Sequence, residues 1–383
     1  MIKVGLHTVD LIPGRERLMP YRTVLEVARE MISNGWDAYV LNSSVSEGDT
    51  EDFVWEGVRI VQCPREFSML SRWVNERCFD AFFFAATIRE GLRSLSGFRN
   101  MTSRKIAYVP SGITHKQNAW WLYRLYGMYA IPWLLEAFTP KLLLGLKLKK
   151  AGFTDVIGLT NYTTQRIGNT VKVHSIYPGK DDFEKIELDE SVLRSRGLKG
   201  KKFFLFTGGP AEVRGSLILI KAFDEMVKDV PNAQLVVLMR HDVGAGTKKF
   251  QETYRAIKHK ENIIVLDEFL TRPQLKAFMK ESYALVLPFV CIPAEIPLTY
   301  YEALSCGTPI ISFKNGGTTE YLHGGLMLCH QTSQAGLTSA LETLWYSPKL
   351  RNNLSQKAKE IMCAHPTWSH VGKEWMNILN EES

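Results

Sequence analysis

Glu302 is a carboxylate inside the segment Pro293 to Ser312, which reads PAEIPLTYYEALSCGTPIIS. A carboxylate can bind vicinal hydroxyls such as a ribose diol, and the free N–H groups of a helix start bind phosphate. Both chemistries in one short stretch point to a nucleotide ligand. The elements that would position them are legible. An apolar strand, Ala284 to Leu287, leads through Pro288 into a Pro-rich loop. A helix carrying Glu302-Ala-Leu-Ser follows, then a Gly-Thr-Pro stop and a second strand, Ile310 to Phe313.

Several other loops could contribute. The run Phe206-Thr-Gly-Gly-Pro-Ala-Glu-Val-Arg-Gly215 follows an expected strand and precedes an expected helix. Gly208 and Gly209 would let backbone approach a ligand, and Arg214 could hold a diphosphate by charge-assisted hydrogen bonds. The same residues also suit an ordinary turn. The run matches neither G-x-G-x-x-G nor the G-x-x-x-x-G-K-[ST] phosphate loop, which argues against a dinucleotide oxidoreductase or an ATPase. Arg240 follows the strand Gln234 to Met239, and strand C-termini are where open α/β sheets place ligand contacts; a solvated loop arginine is the alternative. Gly316-Gly-Thr-Thr-Glu320 follows the strand ending at Phe313. In the first half, Gly14 lies in the first strand-to-helix loop. His115 follows the strand Lys105 to Val109, and there a structural role and a role in the crevice both stay open.

The wider chain alternates strands and helices in both halves, which indicates parallel sheets with helices on both faces. Expected strands are 2–6, 38–41, 58–61, 105–109, 155–159 and 172–176, then 202–207, 234–239, 262–265 and 284–287. The charged stretch from Tyr177 to Gly200 reads as a linker, and a helix is expected from Trp368 onward. With 383 residues, 45% apolar and 23% charged, two domains of ordinary soluble type are expected. A formal charge of +7 suits an anionic small ligand or an anionic membrane surface, without the clustered basic stripe of a nucleic-acid binder. The six cysteines form no C-x-x-C pair and the nine histidines no H-E-x-x-H, so no metal is expected and a reducing cytoplasmic compartment is. The N-terminus opens directly as a strand, with no signal-peptide pattern.

The segment Trp120 to Leu146 is rich in Trp, Tyr and Leu but is interrupted by Arg124, Pro132, Glu136, Pro140 and Lys141. It falls short of the ~20 unbroken apolar residues that a span needs. It reads either as a buried helix pair or as an interfacial surface, flanked by Lys147, Lys149 and Lys150, that meets a membrane or a lipid-linked substrate.

Taken in order, these segments resemble the GT-B glycosyltransferases, and specifically the retaining glycosyltransferase family 4. Gly14 is similar to the family's first glycine loop. Gly35-Trp-Asp-Ala-Tyr-Val40 is similar to "GH-x-V-x-V", and Val156-Ile-Gly-Leu-Thr-Asn161 to "VI-x-x-S". Ile176-Tyr-Pro-Gly-Lys-Asp181 resembles "I-P-N-G-V-D", and Gly208 to Gly215 the "G-R…K-G" donor loop. Glu302-Ala-Leu-Ser-Cys-Gly-Thr-Pro-Ile-Ile resembles "EAMACGTPVI", Gly316 to Glu320 "GG-x-x-E", and Trp368 the tryptophan that opens the final helix. The resemblance covers nearly the whole chain. It implies two doubly wound Rossmann-like domains facing a central cleft: an acceptor-side domain at 1–184, a donor-binding domain at 185–365, and a helix at 366–383 returning to the first.

The resemblance further implies metal-independent transfer of a hexose from a nucleoside-diphosphate sugar, UDP- or GDP-linked, to an acceptor hydroxyl with retention of configuration. The acceptor would be a glycan, a polysaccharide or lipid-linked, with a cytoplasmic location and peripheral contact at the inner membrane face through 120–150. Glu302 would hold the ribose, Arg214 the diphosphate, and Leu298 and Thr299 would present N–H groups to phosphate. Gly14, Gly208, Gly209 and Arg240 complete the donor-side set; His115 and Glu295, with Arg214, are the catalytic candidates. Two departures stand out. The family's second glutamate falls at Ala294, with Glu295 one residue later, and Gly209 replaces the arginine of "G-R", a charge that Arg240 is expected to supply. They leave open a catalytically reduced nucleotide-sugar-binding partner subunit, or another GT-B enzyme such as an epimerase or phosphorylase.

Overall fold

The structure, a computed structural model, describes residues 1–19, 21–44, 51–110, 116–239, 246–290, 297–314, 317, 320, 322 and 324–381. One unit comprises Met1–Lys180 with Pro366–Ser383, and a second comprises Asp181–Ile292 with Pro297–His365.

The first unit holds strands β1 (Lys3–Val9), β2 (Asp37–Ser43), β3 (Phe53–Trp55), β4 (Val58–Gln62), β5 (Ala81–Ala85), β6 (Arg104–Val109), β7 (Asp155–Gly158) and β8 (Lys172–Ser175). They lie in the order β3-β4-β2-β1-β5-β6-β7-β8. All neighbours are parallel except β3 with β4. The helices are α1 (Tyr21–Ser33), α2 (Phe67–Glu76), α3 (Lys116–Tyr126), α4 (Ile131–Phe138), α5 (Leu143–Lys150) and α6 (Asn161–Ile167). Strand β5 reads AFFFA and its phenylalanines are buried, as suits a central strand covered on both faces. Alternation sends Phe83 to the core layer shared with α1, and Phe82 and Phe84 to the opposite layer. Each such ring contributes roughly 1.5–3 kcal/mol on burial. The sequence reading has no strand at β3 or β5: an unbroken apolar run such as AFFFA lacks the alternation that marks a strand.

The second unit holds β9 (Phe203–Gly208), β10 (Gln234–Met239), β11 (Ile263–Leu266), β12 (Ala284–Leu287), β13 (Ile310–Ser312) and β14 (Leu326–Leu328). Their order is β11-β10-β9-β12-β13-β14, parallel throughout. Its helices are α7 (Ser191–Ser195), α8 (Ser216–Val227), α9 (Thr247–Ala256), α10 (Arg272–Glu281), α11 (Leu298–Ser305), α12 (Gln334–Tyr346) and α13 (Pro348–Ala364). The stretch expected as a linker is packed into this unit from Asp181 onward. Phe183 is buried, Arg272 pairs with Asp181 at 3.0 Å, and Lys276 Nζ donates to the Glu184 carbonyl at 2.7 Å. Its charges have partners on α10, which composition alone could not reveal.

The last helix, α14 (Trp368–Asn380), returns to the first unit, as expected. The Lys180 amide donates to the Pro366 carbonyl at 3.0 Å, so the chain leaves and re-enters this unit at one place. Trp375 packs its ring 5.1 Å from Phe83 and 5.3 Å from Tyr108. Both units are thus doubly wound α/β layers, which is the expected fold class.

The 120–146 segment is helical, but it is not a wholly buried pair. Ala119, Leu122, Ala130 and Ala137 are buried, whereas Trp120, Met128, Tyr129, Leu135 and Phe138 are exposed. Among the described residues no helix is long and apolar enough to cross a membrane.

Candidate functional site

In the second unit, β9 and β12 are neighbours in the sheet, and the winding runs outward from them in opposite directions. Such a switch point opens a crevice at the strands' carboxyl ends, where doubly wound sheets bind ligands. The loops that begin there are the two singled out in the sequence: the one from β9 to α8 and the one from β12 to α11.

These loops touch. The Val290 amide donates to the Val213 carbonyl at 2.9 Å. Gly215 has φ +73°, and a Cβ placed there would lie 2.0 Å from the Pro288 carbonyl oxygen. Only glycine satisfies both the left-handed backbone and that approach. Glu212, two residues before Arg214, pairs with Lys249 of α9 and holds the short 3-10 turn Glu212–Arg214 from the other side. Arg214 is half-buried, with its guanidinium 5.3 Å from the centre of the Phe289 ring. Its charge acts on the buried phenol of Tyr300, whose pKa burial nevertheless drives far up. Arg214 therefore sits beside the start of α11.

Helix α11 brings the other groups. Leu298 and Thr299 are its first two residues, so their N–H groups have no intrahelical acceptor. The half-buried Glu302 lies four residues after Leu298, one turn along the same face. Two tyrosines fix this helix. Tyr300 and Ser312 share a 2.9 Å hydrogen bond between their hydroxyls, and Ser312 donates to the Leu287 carbonyl at 2.8 Å. Tyr301 packs its ring 4.2 Å from His365. The carboxylate is thus carried on a helix pinned to both β12 and β13. Burial pushes the thiol of the adjacent Cys306 up to about 12, so this cysteine is a protonated packing group, not a nucleophile.

The glycines divide in their roles. A Cβ on Gly209 would meet nothing within 4 Å, which leaves open space above the loop. A Cβ on Gly208 would lie 2.8 Å from the Phe206 ring, so its smallness serves packing. Gly14, in the first unit, is exposed with φ +89° and open space around it. The structure places Gly208, Gly209 and Arg214 at the end of β9 and in the loop after it, which touches the residues that follow β12, and it places Leu298, Thr299 and Glu302 on α11. His115, Arg240 and Glu295 lie outside the described residues, as do Gly316, Thr318 and Thr319; Arg240 follows Met239, which pairs in register with Gly208.

The sequence reading overlooks a second crevice. At the carboxyl ends of β1 and β5, the corresponding switch point of the first unit, a cavity of roughly 450 Å³ is lined by His7, Tyr21, Arg65, Arg89 and Arg93, among others. Without β5 recognised as a strand, Arg65 and Arg89 have no common address in the sequence.

Comparison with known proteins gives a consistent picture. Residues 190–361 match the family model described as glycosyl transferases group 1. Spore coat protein SA of Bacillus subtilis is 29% identical over 206 residues, 50% of this chain and 52% of that protein. The chain spans about half the length of the curated relatives it matches. Among solved structures, sucrose-phosphate synthase from Thermosynechococcus elongatus superposes with a TM-score of 0.75 at 12% identity, over 100% of this chain and 99% of that one. HepE of Anabaena, solved in complex with UDP, gives 0.72 at 13% identity, with 100% of both chains covered. Residues 190–361 are thus similar to the group 1 glycosyl transferases, and the chain as a whole shares the fold of these solved structures.

Proposed function

We propose that the protein is a retaining glycosyltransferase that moves a sugar from a nucleoside-diphosphate sugar to an acceptor hydroxyl without a metal ion. The observation that carries this reading is the meeting of Arg214 with the start of α11 and Glu302 at the switch point of the second sheet. A cation and helix-start amides suit a diphosphate, and a carboxylate one turn away suits a ribose diol. The UDP bound to the structurally similar HepE supports the same assignment.

In this reading the anomeric C–O bond breaks and its electron pair leaves with the diphosphate. Arg214, Arg240 and the amides of Leu298 and Thr299 stabilise that developing charge, the work a divalent cation would otherwise do. The acceptor oxygen bonds to the anomeric carbon on the face the diphosphate leaves, and its proton passes to the departing phosphate oxygen. Gly208 and Gly209 give the donor room, and Gly14 keeps the first loop clear on the acceptor side. Glu295 and His115 are assigned to the transferred sugar. The acceptor is a glycan or lipid-linked glycan, and the exposed aromatic segment from Trp120 is assigned to the membrane surface.

The test is a thermal-shift screen of UDP, GDP and their sugars, followed by transfer assays with EDTA present and NMR of the product's anomeric proton. Ligand-dependent stabilisation, chelator-resistant turnover and retained configuration are expected. Stabilisation by a nucleotide without turnover on any acceptor would instead favour a binding subunit, the reading prompted by Ala294 in place of a glutamate.

A further inference from the structure

The first-unit cavity at the ends of β1 and β5 carries more positive charge than its described neighbours neutralise. Arg65 comes from the turn before α2, and Arg89 and Arg93 from the 3-10 turn Ile88–Leu92 and its end. The two carboxylates in the lining are already engaged. Glu66 accepts the amides of Ser68 and Met69 at 3.1 and 2.9 Å, capping α2. Glu90 accepts the Thr87 amide at 2.6 Å and lies 3.8 Å from Arg93. Among the described residues, Arg65 and Arg89 have no acidic partner within ion-pair distance. Among the described residues, the Nε of Arg89 is sealed from solvent and has no hydrogen-bond acceptor.

A buried guanidinium N–H without an acceptor carries a desolvation penalty that a bound anion would remove. The cavity floor supplies no competing charge. His7 is buried, stacked 5.4 Å from Phe84, with Nε2 paired to Ser43 Oγ at 3.0 Å. Burial pushes its pKa down to about 3, so the imidazole is neutral at physiological pH. Tyr21, Ser43 and Thr87 add hydroxyl groups to the lining. The net result is a polar cavity at a switch point, with two arginine forks left to a ligand.

We propose that this cavity binds a phosphate ester, its phosphoryl group held by Arg65 and Arg89 and its polyol part by the hydroxyl-lined floor. Under the transfer reading above, on which this clause alone rests, that ligand is the acceptor. A soluble sugar phosphate and a phospholipid headgroup share this chemistry.

The experiment is calorimetric titration of the full chain, with UDP saturating to occupy the donor crevice, using glucose 6-phosphate, glucose and inorganic phosphate. A parallel arm uses phosphatidylinositol and phosphatidylcholine vesicles. Glucose 6-phosphate is expected to bind at least tenfold more tightly than glucose. Arg65→Ala with Arg89→Ala should abolish that preference while leaving UDP affinity unchanged. Arg65→Ala alone, a change at an exposed side chain, keeps the test open if the double variant fails to fold, and should weaken the preference several-fold. Tighter binding of phosphatidylinositol vesicles than of the soluble ester, lost in the same variants, would assign the lipid source. Equal affinity for glucose and its 6-phosphate, absence of binding by both esters, or a preference that survives the substitutions would overturn the proposal. Failure of the wild type to bind UDP would count against the donor assignment and leave this one standing.

Discussion

Glu302 and Gly215 answer to different physics, and substitution separates them. If Glu302 holds a ribose diol, Glu302→Gln exchanges charged hydrogen bonds for neutral ones and should weaken nucleotide-sugar binding by about 1.5–3 kcal/mol, or ten- to a hundredfold in Kd. The melting temperature should barely move, because the side chain is only half-buried on a helix anchored by Tyr300 and Tyr301. Calorimetry with UDP- and GDP-sugars reads the first effect; an unchanged Kd would remove the ribose role. Gly215→Ala should do the reverse. It forces a left-handed alanine at φ +73° and drives Cβ into the Pro288 carbonyl, so a loss of stability exceeding ~1–2 kcal/mol is expected. Gly209→Ala, whose Cβ would enter open space, should fold normally and change only ligand affinity. Thermal melts of the two alanine variants side by side check the contrast. The sequence showed both glycines as one turn. Which is structural depends on Pro288, whose approach comes from another loop.

At the scale of elements, the return of α14 depends on a charged clasp at the base of the first sheet. Asp155 of β7 receives His174 Nε2 at 2.8 Å, Thr154 Oγ1 at 2.6 Å and Arg104 Nη2 at 3.2 Å. Arg104 also donates to the Leu379 carbonyl at 2.9 Å, so the clasp grips the end of α14. Burial pushes the Asp155 carboxyl up, but the hydrogen bonds from His174, Thr154 and Arg104 outweigh it and hold it at about 2, below its ordinary 3.8. A depressed carboxyl stabilises the fold fully above pH 3.8, and that stability fades as pH falls towards 2. The contribution is roughly 2 kcal/mol. Asp155→Asn should therefore lower the melting temperature at pH 7, and the gap from wild type should close between pH 4 and pH 2. A gap that stays constant over that range would mean the carboxylate is not the clasp. Most of these elements were legible. β10, β12 and the start of α14 match their expected bounds because short apolar runs and nearby prolines mark them locally. β3, β5 and β14 were not, since their strand character comes from neighbours in the sheet. The crevice of the second unit was legible for a related reason: its loops flank strands that announce themselves. The arginine cavity depends on β5 and was hidden with it.

For the molecule as a whole, a charge of +7 combines with an exposed apolar surface on α3, α4 and the turn between them. Tyr129 is 87% exposed, Met128 70% and Trp120 53%, and a cavity of roughly 480 Å³ beside them is lined by Leu92, Ile131, Leu134, Leu135 and Phe138. Lys147, Lys149 and Lys150 stand in the last turn of α5 nearby in sequence. Large apolar side chains left in water beside lysines suit the headgroup region of an anionic bilayer, where rings enter the interface and ammonium groups meet lipid phosphate. The protein should pellet with vesicles rich in anionic lipid and much less with phosphatidylcholine alone. Raising the salt to 0.5 M should weaken pelleting, because exposed charges are screened over a few ångströms at that strength. Replacing Trp120 and Tyr129 by Ser removes two exposed rings, each worth roughly 1.5–3 kcal/mol when buried, and should cut vesicle affinity at least tenfold without changing the fold. Co-sedimentation of wild type and variant, with melting curves as the folding control, reads this directly. Negligible pelleting of both would remove the membrane from the proposed function and leave a soluble glycan as the acceptor. Strong pelleting of wild type that survives the double replacement would assign the contact to charge alone.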